Sequence, residues 1–343
     1  MGLKSVKKIL FYDGKVPIYH LYYGNDLGQE SSLVTCFPVK HTGAKARRGS
    51  GQITYFSLSA PTSALPYWQE RLRQHGFDVN ATERFGEKCS DFKHSCGIDY
   101  SIVGIDDDTR APRSDGPVPR EMMLRGTHAI CVSLRELEPM DEFMQMGWGG
   151  ERVAEDRNYV RYQLGQGGTG TYIDFVIEPN LKAGSWTLGE GAVHPMALQI
   201  PKHAAQNSLK GFLEGLGFTD TSDVKDRGYF DSIYVRTPSG ALFEATVSAY
   251  RTDNHPFRRN RARCARCALN WEGARRTGRG GRRLLSPAFR RALAVRLRNT
   301  GLYSAEITQK EHWRTKPNTT GETALDTCPR RITDSKPPQR MAW

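Results

Sequence analysis

One stretch of the sequence, KDRGYFDSIYVRTPSGALFEATVS (225–248), concentrates side chains able to do chemistry. Leu242 and Glu244 sit two apart in a strand-like run and share a face, and a carboxylate there is costly to bury unless something positive meets it. Glu244 therefore reads as a metal ligand or as a cavity-rim carboxylate paired with Arg236 or Arg227. An arginine can hold a phenolate or carboxylate oxygen, and a tyrosine hydroxyl can donate to one. Arg227 and Tyr234 suit those roles, the alternatives being a surface arginine after a turn and a core aromatic in a strand. Tyr229, Phe230 and Tyr234 together would suit an apolar pocket for a planar ring. Upstream, His194 precedes Pro195, a residue with neither imidazole nor backbone donor. Adjacent strand residues face opposite sides, so His194 reads as a satisfied buried histidine. His20, in YHLYYG, reads as a structural strand histidine.

Other chemical signals are weaker. CARC (264–267) is a lone C-x-x-C with no second pair at zinc-finger spacing. GQGGTGT (165–171) is a Gly-rich turn in a strand region, and no phosphate-binding loop is present. Cys36 and Cys131 lie in apolar strand-like runs and are expected to be buried small hydrophobes.

Three segments repeat one order of elements: an apolar strand, an amphipathic helix, then returning strands closed by an apolar one. The first runs from GQITYFSLSA (51–60) through LPYWQERLRQHGFDV, with Leu65, Trp68 and Leu72 on one helical face, to GIDYSIVG (97–104). The second runs from GTHAICVSL (126–134) through MDEFMQMGW and RVAEDRNYVRYQLG to TYIDFVIEP. The third runs from GAVHPMALQIP (191–201) through LKGFLEGLGFTDTS, where Leu209, Phe212 and Leu216 mark the expected face, to YFDSIYVRTPSGALFEATVS. Period-2 strands alternate with one period-3.6 helix per unit, so each unit reads β-α-β-β-β. Before residue 50 only return strands are legible, in KKILFYD, YHLYYGND and SSLVTCFPV.

The fold class expected is α+β: paired βαβββ modules, four in number, the first incomplete. Residues 1–109 are expected as an N-terminal domain whose second module spans about 50–105, and the proline-rich stretch 110–124 as a linker. Residues 125–250 follow as a C-terminal domain of two modules, and 251–343 as a basic tail. The tail holds 22 Lys and Arg against 7 Asp and Glu, leaving 27 basic and 30 acidic residues for positions 1–250. The formal charge of +12 thus belongs to the tail. No run approaches the roughly 20 apolar residues of a membrane-spanning helix, and the N-terminus is not a signal peptide, so a cytosolic location without membrane contact is expected.

VKKILFYD…YHLYYGN (6–25), GAKARRGSGQIT (43–54), RVAEDRNYVRY (152–162) and above all 225–248 resemble the glyoxalase, bleomycin-resistance and extradiol dioxygenase superfamily, the vicinal oxygen chelate fold. Within it the sequence is similar, over about residues 4–250, to ring-cleaving dioxygenases of the 2,6-dichlorohydroquinone 1,2-dioxygenase type. The resemblance implies an Fe(II) cofactor held by two imidazoles and one carboxylate. It also implies O₂ and a hydroquinone or chlorinated hydroquinone as substrates, and a maleylacetate-type product. It maps the carboxylate ligand to Glu244, the substrate contacts to Arg227 and Tyr234, and a proton-assisting histidine to His194. Relatives carry the second metal histidine where this chain has Pro195, and the first upstream of Val6, so little ring-cleaving activity is expected. A catalytically inactive binding protein of the same fold is the alternative, and homo-oligomerisation is left open. From about residue 249 the text departs from the family and reads as a shifted frame or recombination junction. The competing reading is a tail making non-specific nucleic-acid contact.

Overall fold

The computed structural model describes residues 1–248 apart from 13–16, 27, 40–42, 186–188 and 228–229. The tail, with its CARC motif and nucleic-acid reading, and Tyr229 therefore lie outside the described residues. Strands β1 (Lys4–Tyr12), β2 (Pro17–Gly24) and β3 (Val34–Cys36) form an antiparallel sheet in that order. Next come β4 (Ile53–Ala60), α1 (Leu65–Gln74), β5 (Val79–Arg84), β6 (Glu87–Lys93) and β7 (Asp99–Gly104). The same order recurs in β8 (Gly126–Leu134), α2 (Glu138–Glu142), β9 (Glu151–Asp156), β10 (Tyr159–Gln163) and β11 (Tyr172–Ile177). It recurs again in β12 (Pro195–Gln199), α3 (His203–Gly215), β13 (Lys225–Asp226), β14 (Phe230–Arg236) and β15 (Leu242–Ser248). The architecture is α+β, each unit closing by a parallel pairing of its last strand with its first: β4 with β7, β8 with β11, β12 with β15.

Helix α1 forms as its spacing requires. A proline occupies its first turn, Leu65, Trp68 and Leu72 are buried, and Gly76 at φ 79° lies just beyond its C-cap, His75. The Trp68 indole N–H donates to the Met122 carbonyl at 2.7 Å, which removes the penalty of burying it. In α3 the buried face is Gln206, Leu209 and Leu213, whereas Phe212 is exposed. The expected Leu209, Phe212, Leu216 stripe was thus centred too far round the helix; spacings of 3 and 4 from residue 209 fit both faces until the sheet chooses. After α2 the backbone passes into a π turn at Phe143–Gly147 that seats Phe143 and Met144 in the core.

The linker at 110–124 does not separate two sheets. β4 pairs antiparallel with β8 across it, giving one eight-stranded sheet in the order β5-β6-β7-β4-β8-β11-β10-β9. The apolar cores do divide near the linker. One cluster gathers Leu58, Trp68, Ile102, Val118 and Leu124 around α1. The other runs from Val132 through Phe143, Trp148 and Phe175 to Leu213, Phe243 and Val247, uniting the layers of α2 and α3. Cys131 is fully buried as expected, but Cys36, on the end strand of the β1-β2-β3 sheet, is exposed.

Residues 47–52 clasp the halves together. Ser50 N–H donates to Lys182 O, Gly184 N–H to Ser50 O, Gly51 N–H to Ser133 O and Ser133 N–H to Gln52 O, all at 2.8–2.9 Å. Gly51 has φ 82°, and a Cβ there would collide with the Ser239 carbonyl oxygen in the β14–β15 turn. Gly51→Ala is expected to cost about 2 kcal/mol, readable as a lowered urea midpoint at unchanged m-value. Among the described residues no helix is long and apolar enough to cross a membrane.

Candidate functional site

Alternation sorts the β12–β15 unit into two faces. Met196, Ile233, Val235, Phe243, Ala245 and Val247 enter the core. Pro195, Ala197, Tyr234 and Glu244 fall on the opposite, concave face, where register sets Ala197 beside Glu244 and Glu244 beside Tyr234. Tyr234 donates its hydroxyl to Glu244 Oε1 at 2.8 Å, and Arg227 Nε donates to the same hydroxyl at 3.2 Å. The chain Arg227→Tyr234→Glu244 thus unites three residues singled out from sequence. The ion pair of Glu244 with Arg236 expected as one alternative is replaced by the tyrosine contact, and Arg236 donates to Gly240 O.

Glu244 is 5% exposed, and burial holds its carboxyl above the ordinary range despite hydrogen bonds from Ser232 and Tyr234 and the Arg227 charge. Tyr234 is pushed up to about 12 by burial and by the Glu244 charge, with Arg227 pulling the other way. The site therefore holds a buried carboxyl behind a hydroxyl, with a guanidinium at the other end of the chain of hydrogen bonds.

His20 on β2 belongs to the same surroundings, which a strand histidine's sequence context does not reveal. It is buried, stacked on Phe37 at 4.1 Å, and contacted at Nδ1 by the Tyr22 hydroxyl at 2.8 Å. Burial and the Arg227 charge lower its pKa from 6.5 to about 4. A histidine depressed in the folded state contributes stability above its unfolded pKa and loses it as pH falls through the folded one. Stability should therefore drop between pH 6.5 and about 4, and His20→Phe should flatten that part of a denaturation series.

His194 lies one residue before β12, half-buried and off the alternation that puts Pro195 on the Glu244 face. Ala197 and Pro195, the β12 residues flanking Glu244 on its face, carry no side-chain donor atoms, and Tyr234 already engages one Glu244 oxygen. Among the described residues no three His, Cys, Asp or Glu side chains converge to hold a metal ion. These residues do not fit the three-ligand iron centre that the resemblance implies.

Sequence reasoning missed a second buried acid, although the repeat carried the signal: YIDFVI and LFEATV each place an acid third in the closing strand. Asp174 lies opposite Arg161 as Glu244 lies opposite Tyr234. Arg161 donates to both Asp174 oxygens at 2.8 and 3.1 Å and to Glu87 at 2.8 Å, and Glu87 also meets His128 Nε2 at 3.0 Å. The β4–β8 register shifts twice, and the shift between Phe56 and Leu58 lies across from His128. Asp174 is thus ion-paired with Arg161, while Glu244 is hydrogen-bonded by hydroxyls and lies within the field of Arg227.

Comparison with known proteins agrees with this architecture. The chain is 45% identical over 251 residues to a chlorohydroquinone/hydroquinone 1,2-dioxygenase of Sphingobium indicum, covering 72% of this chain and 78% of that one. It is 29% identical over 247 residues to a candidate ring-cleaving dioxygenase of Bacillus subtilis, MhqO, covering 71% and 76%. A crystal structure of a candidate dioxygenase from Bacillus subtilis superposes with a TM-score of 0.65 at 28% identity, over 72% of this chain and 77% of that chain. Glyoxalase I of Zea mays shares the fold, with a TM-score of 0.51 at 12% identity over 71% and 83%. No family model matches the chain. The repeated units and the concave site define a member of the vicinal oxygen chelate fold. Within it, the chain belongs to the family of chlorohydroquinone/hydroquinone ring-cleaving dioxygenases.

Proposed function

We propose that the concave face of β12, β14 and β15 binds a hydroquinone or chlorohydroquinone ring, the substrate class named for the Sphingobium relative. The observation that carries this reading is the Arg227→Tyr234→Glu244 chain, running from a half-buried guanidinium to a buried carboxyl. Arg227 would hold a phenolic oxygen of the ring, and Tyr234 would turn its single hydroxyl hydrogen from Glu244 to that oxygen when the ring binds. His194, in the loop entering β12, is assigned to proton movement beside the ring. Strands β1–β3 are assigned as the return strands of a first module, making four, with 1–109 and 125–250 as the domains.

Opening of the ring by O₂ with Fe(II), between a hydroxyl-bearing carbon and its neighbour to give a maleylacetate-type acid, is the reaction implied by the family, and it would need a fuller ligand set than these residues offer. Glu244 is the one metal ligand assigned in this chain, so its own residues are read as ring-binding and proton-holding groups. A binding protein of the same fold is the second reading, favoured by the donor-free positions beside Glu244.

Anaerobic calorimetry with hydroquinone and chlorohydroquinone, paired with O₂-uptake measurements after Fe(II) addition, tests both. Saturable binding is expected, and Tyr234→Phe should weaken it about tenfold, the loss of a hydrogen bond to a charged or polarised oxygen. Absence of binding by either ring, or binding indifferent to Tyr234→Phe and Arg227→Gln, would sink the reading.

A further inference from the structure

The β6–β7 hairpin ends in a turn in which Gly97 N–H donates to His94 O at 2.8 Å and His94 N–H to Ile98 O at 2.9 Å. Within it His94 Nδ1 lies 2.9 Å from Cys96 Sγ and accepts the Cys96 backbone N–H at 3.2 Å. A ring nitrogen accepting from the main chain presents a lone pair, so the neutral tautomer carries its proton on Nε2 and the thiol proton points at a base. Phe77 stacks on the imidazole at 5.9 Å and Tyr100 lies tilted at 6.1 Å, fixing the ring. Cys96 is half-buried, within reach of a small molecule.

The same hairpin end supplies Lys93, Ile98 and Asp99 to the wall of a cleft of about 330 Å³, completed by Arg48 and Gly191 among others. Asp99 Oδ2 takes Arg48 Nη2 at 2.6 Å, while Asp99 Oδ1 is buried without a hydrogen-bond donor, Lys93 standing 3.8 Å away. The dyad sits at the hairpin end beside this cleft, and Arg48 of the cleft wall donates to the Gly97 carbonyl next to Cys96 at 2.9 Å.

We propose that Cys96, with His94 as its base, is a nucleophilic thiol that adds to quinones, the electrophiles left when hydroquinones lose two electrons and two protons. The quinone assignment rests on the hydroquinone reading given above. His94 Nδ1 takes the thiol proton and the sulfur lone pair forms a C–S bond at a ring carbon. The displaced ring π pair moves to a carbonyl oxygen, which takes the proton from His94. The hydrogen on the sulfur-bearing carbon then passes through solvent to the second carbonyl oxygen. The product is a hydroquinone thioether holding every atom of thiol and quinone, and no further oxidant or reductant enters.

Cys36 is the internal comparator, a free exposed thiol. The full chain is treated with equimolar 1,4-benzoquinone at neutral pH, quenched at intervals, digested, and mapped by mass spectrometry. Cys96 is expected to be alkylated about tenfold faster than Cys36. His94→Asn, which keeps an acceptor for the Cys96 N–H without a basic nitrogen, should bring Cys96 down to the Cys36 rate, with its melting temperature confirming the fold. Equal labelling of the two cysteines, or an unchanged Cys96 rate in His94→Asn, would overturn the proposal. Hydroquinone calorimetry on Cys96→Ser reads the ring-binding site separately, so failure of alkylation and failure of ring binding are distinguishable.

Discussion

Arg161→Met is expected to destabilise the protein by about 3–5 kcal/mol, the cost of leaving a buried charge without its partner. Asp174 accepts Arg161 through both oxygens, and its side chain is 2% exposed against 7% for the arginine. The guanidinium also sits over the Phe85 ring at 4.2 Å and the Tyr172 ring at 4.6 Å, so methionine keeps part of the packing while removing the charge. The double variant Arg161→Met, Asp174→Leu should recover part of the loss, because two apolar side chains replace the buried pair while Glu87 keeps His128. Chemical denaturation of the two single variants and the double variant forms the cycle. A single-variant loss below about 1 kcal/mol would show that the network is solvated and weak. Burial costs Glu87 something, but His128 and Arg161 hold its carboxyl below the ordinary range. The network's stability is therefore present above the unfolded carboxylate pKa and is lost as pH falls through the lowered one.

Iron retention is the second large expected effect. After anaerobic Fe(II) loading and desalting, the unmodified chain should keep little iron, and Pro195→His should keep on the order of tenfold more. The reason is geometric: Pro195 pairs with Leu242 and shares a face with Glu244 one pleat further on, so an imidazole there could converge on the carboxylate. Two ligands still fall short of a facial set of three, so O₂ uptake with hydroquinone should remain negligible in both. Stoichiometric iron and efficient turnover by the unmodified chain would refute this account and direct alanine substitution to His194 and His20.

Much of the site was legible because strand alternation is a strict rule. Leu242 and Glu244 had to share a face, and Tyr234 and Arg227 lay close in sequence on the same hairpin. Partner choice was not legible: Arg236 and Tyr234 both alternate onto the Glu244 face, and only register decides that the tyrosine lies opposite. His20 escaped for a different reason. Its neighbour Arg227 is two hundred residues away, and nothing local in YHLYYG encodes that meeting. Helix α1 was readable from Leu65, Trp68 and Leu72 alone, whereas α3 carried apolar residues on too wide an arc for its buried face to be fixed in advance. The sheet crossing residues 110–124 was hidden because proline-rich composition reports the flexibility of a connection and says nothing of which strands pair beyond it.

The pairing of β4 with β8 has a consequence for the birth of the molecule. Segments adjacent along the chain build the eight-stranded sheet, so it can assemble while the protein is still emerging from the ribosome. Arg227, Tyr234 and Glu244 arrive later, and the Arg227 charge that reaches His20 spans nearly the whole described length. The innermost segments thus close first and the outermost last, like nested brackets. The functional cup would exist only once residue 248 has been made, and until then the β2 surface bearing His20 and Tyr22 must wait without that partner. A nascent chain stalled before β15 should therefore be protease-resistant across 53–177 while β1–β3 is still cleaved.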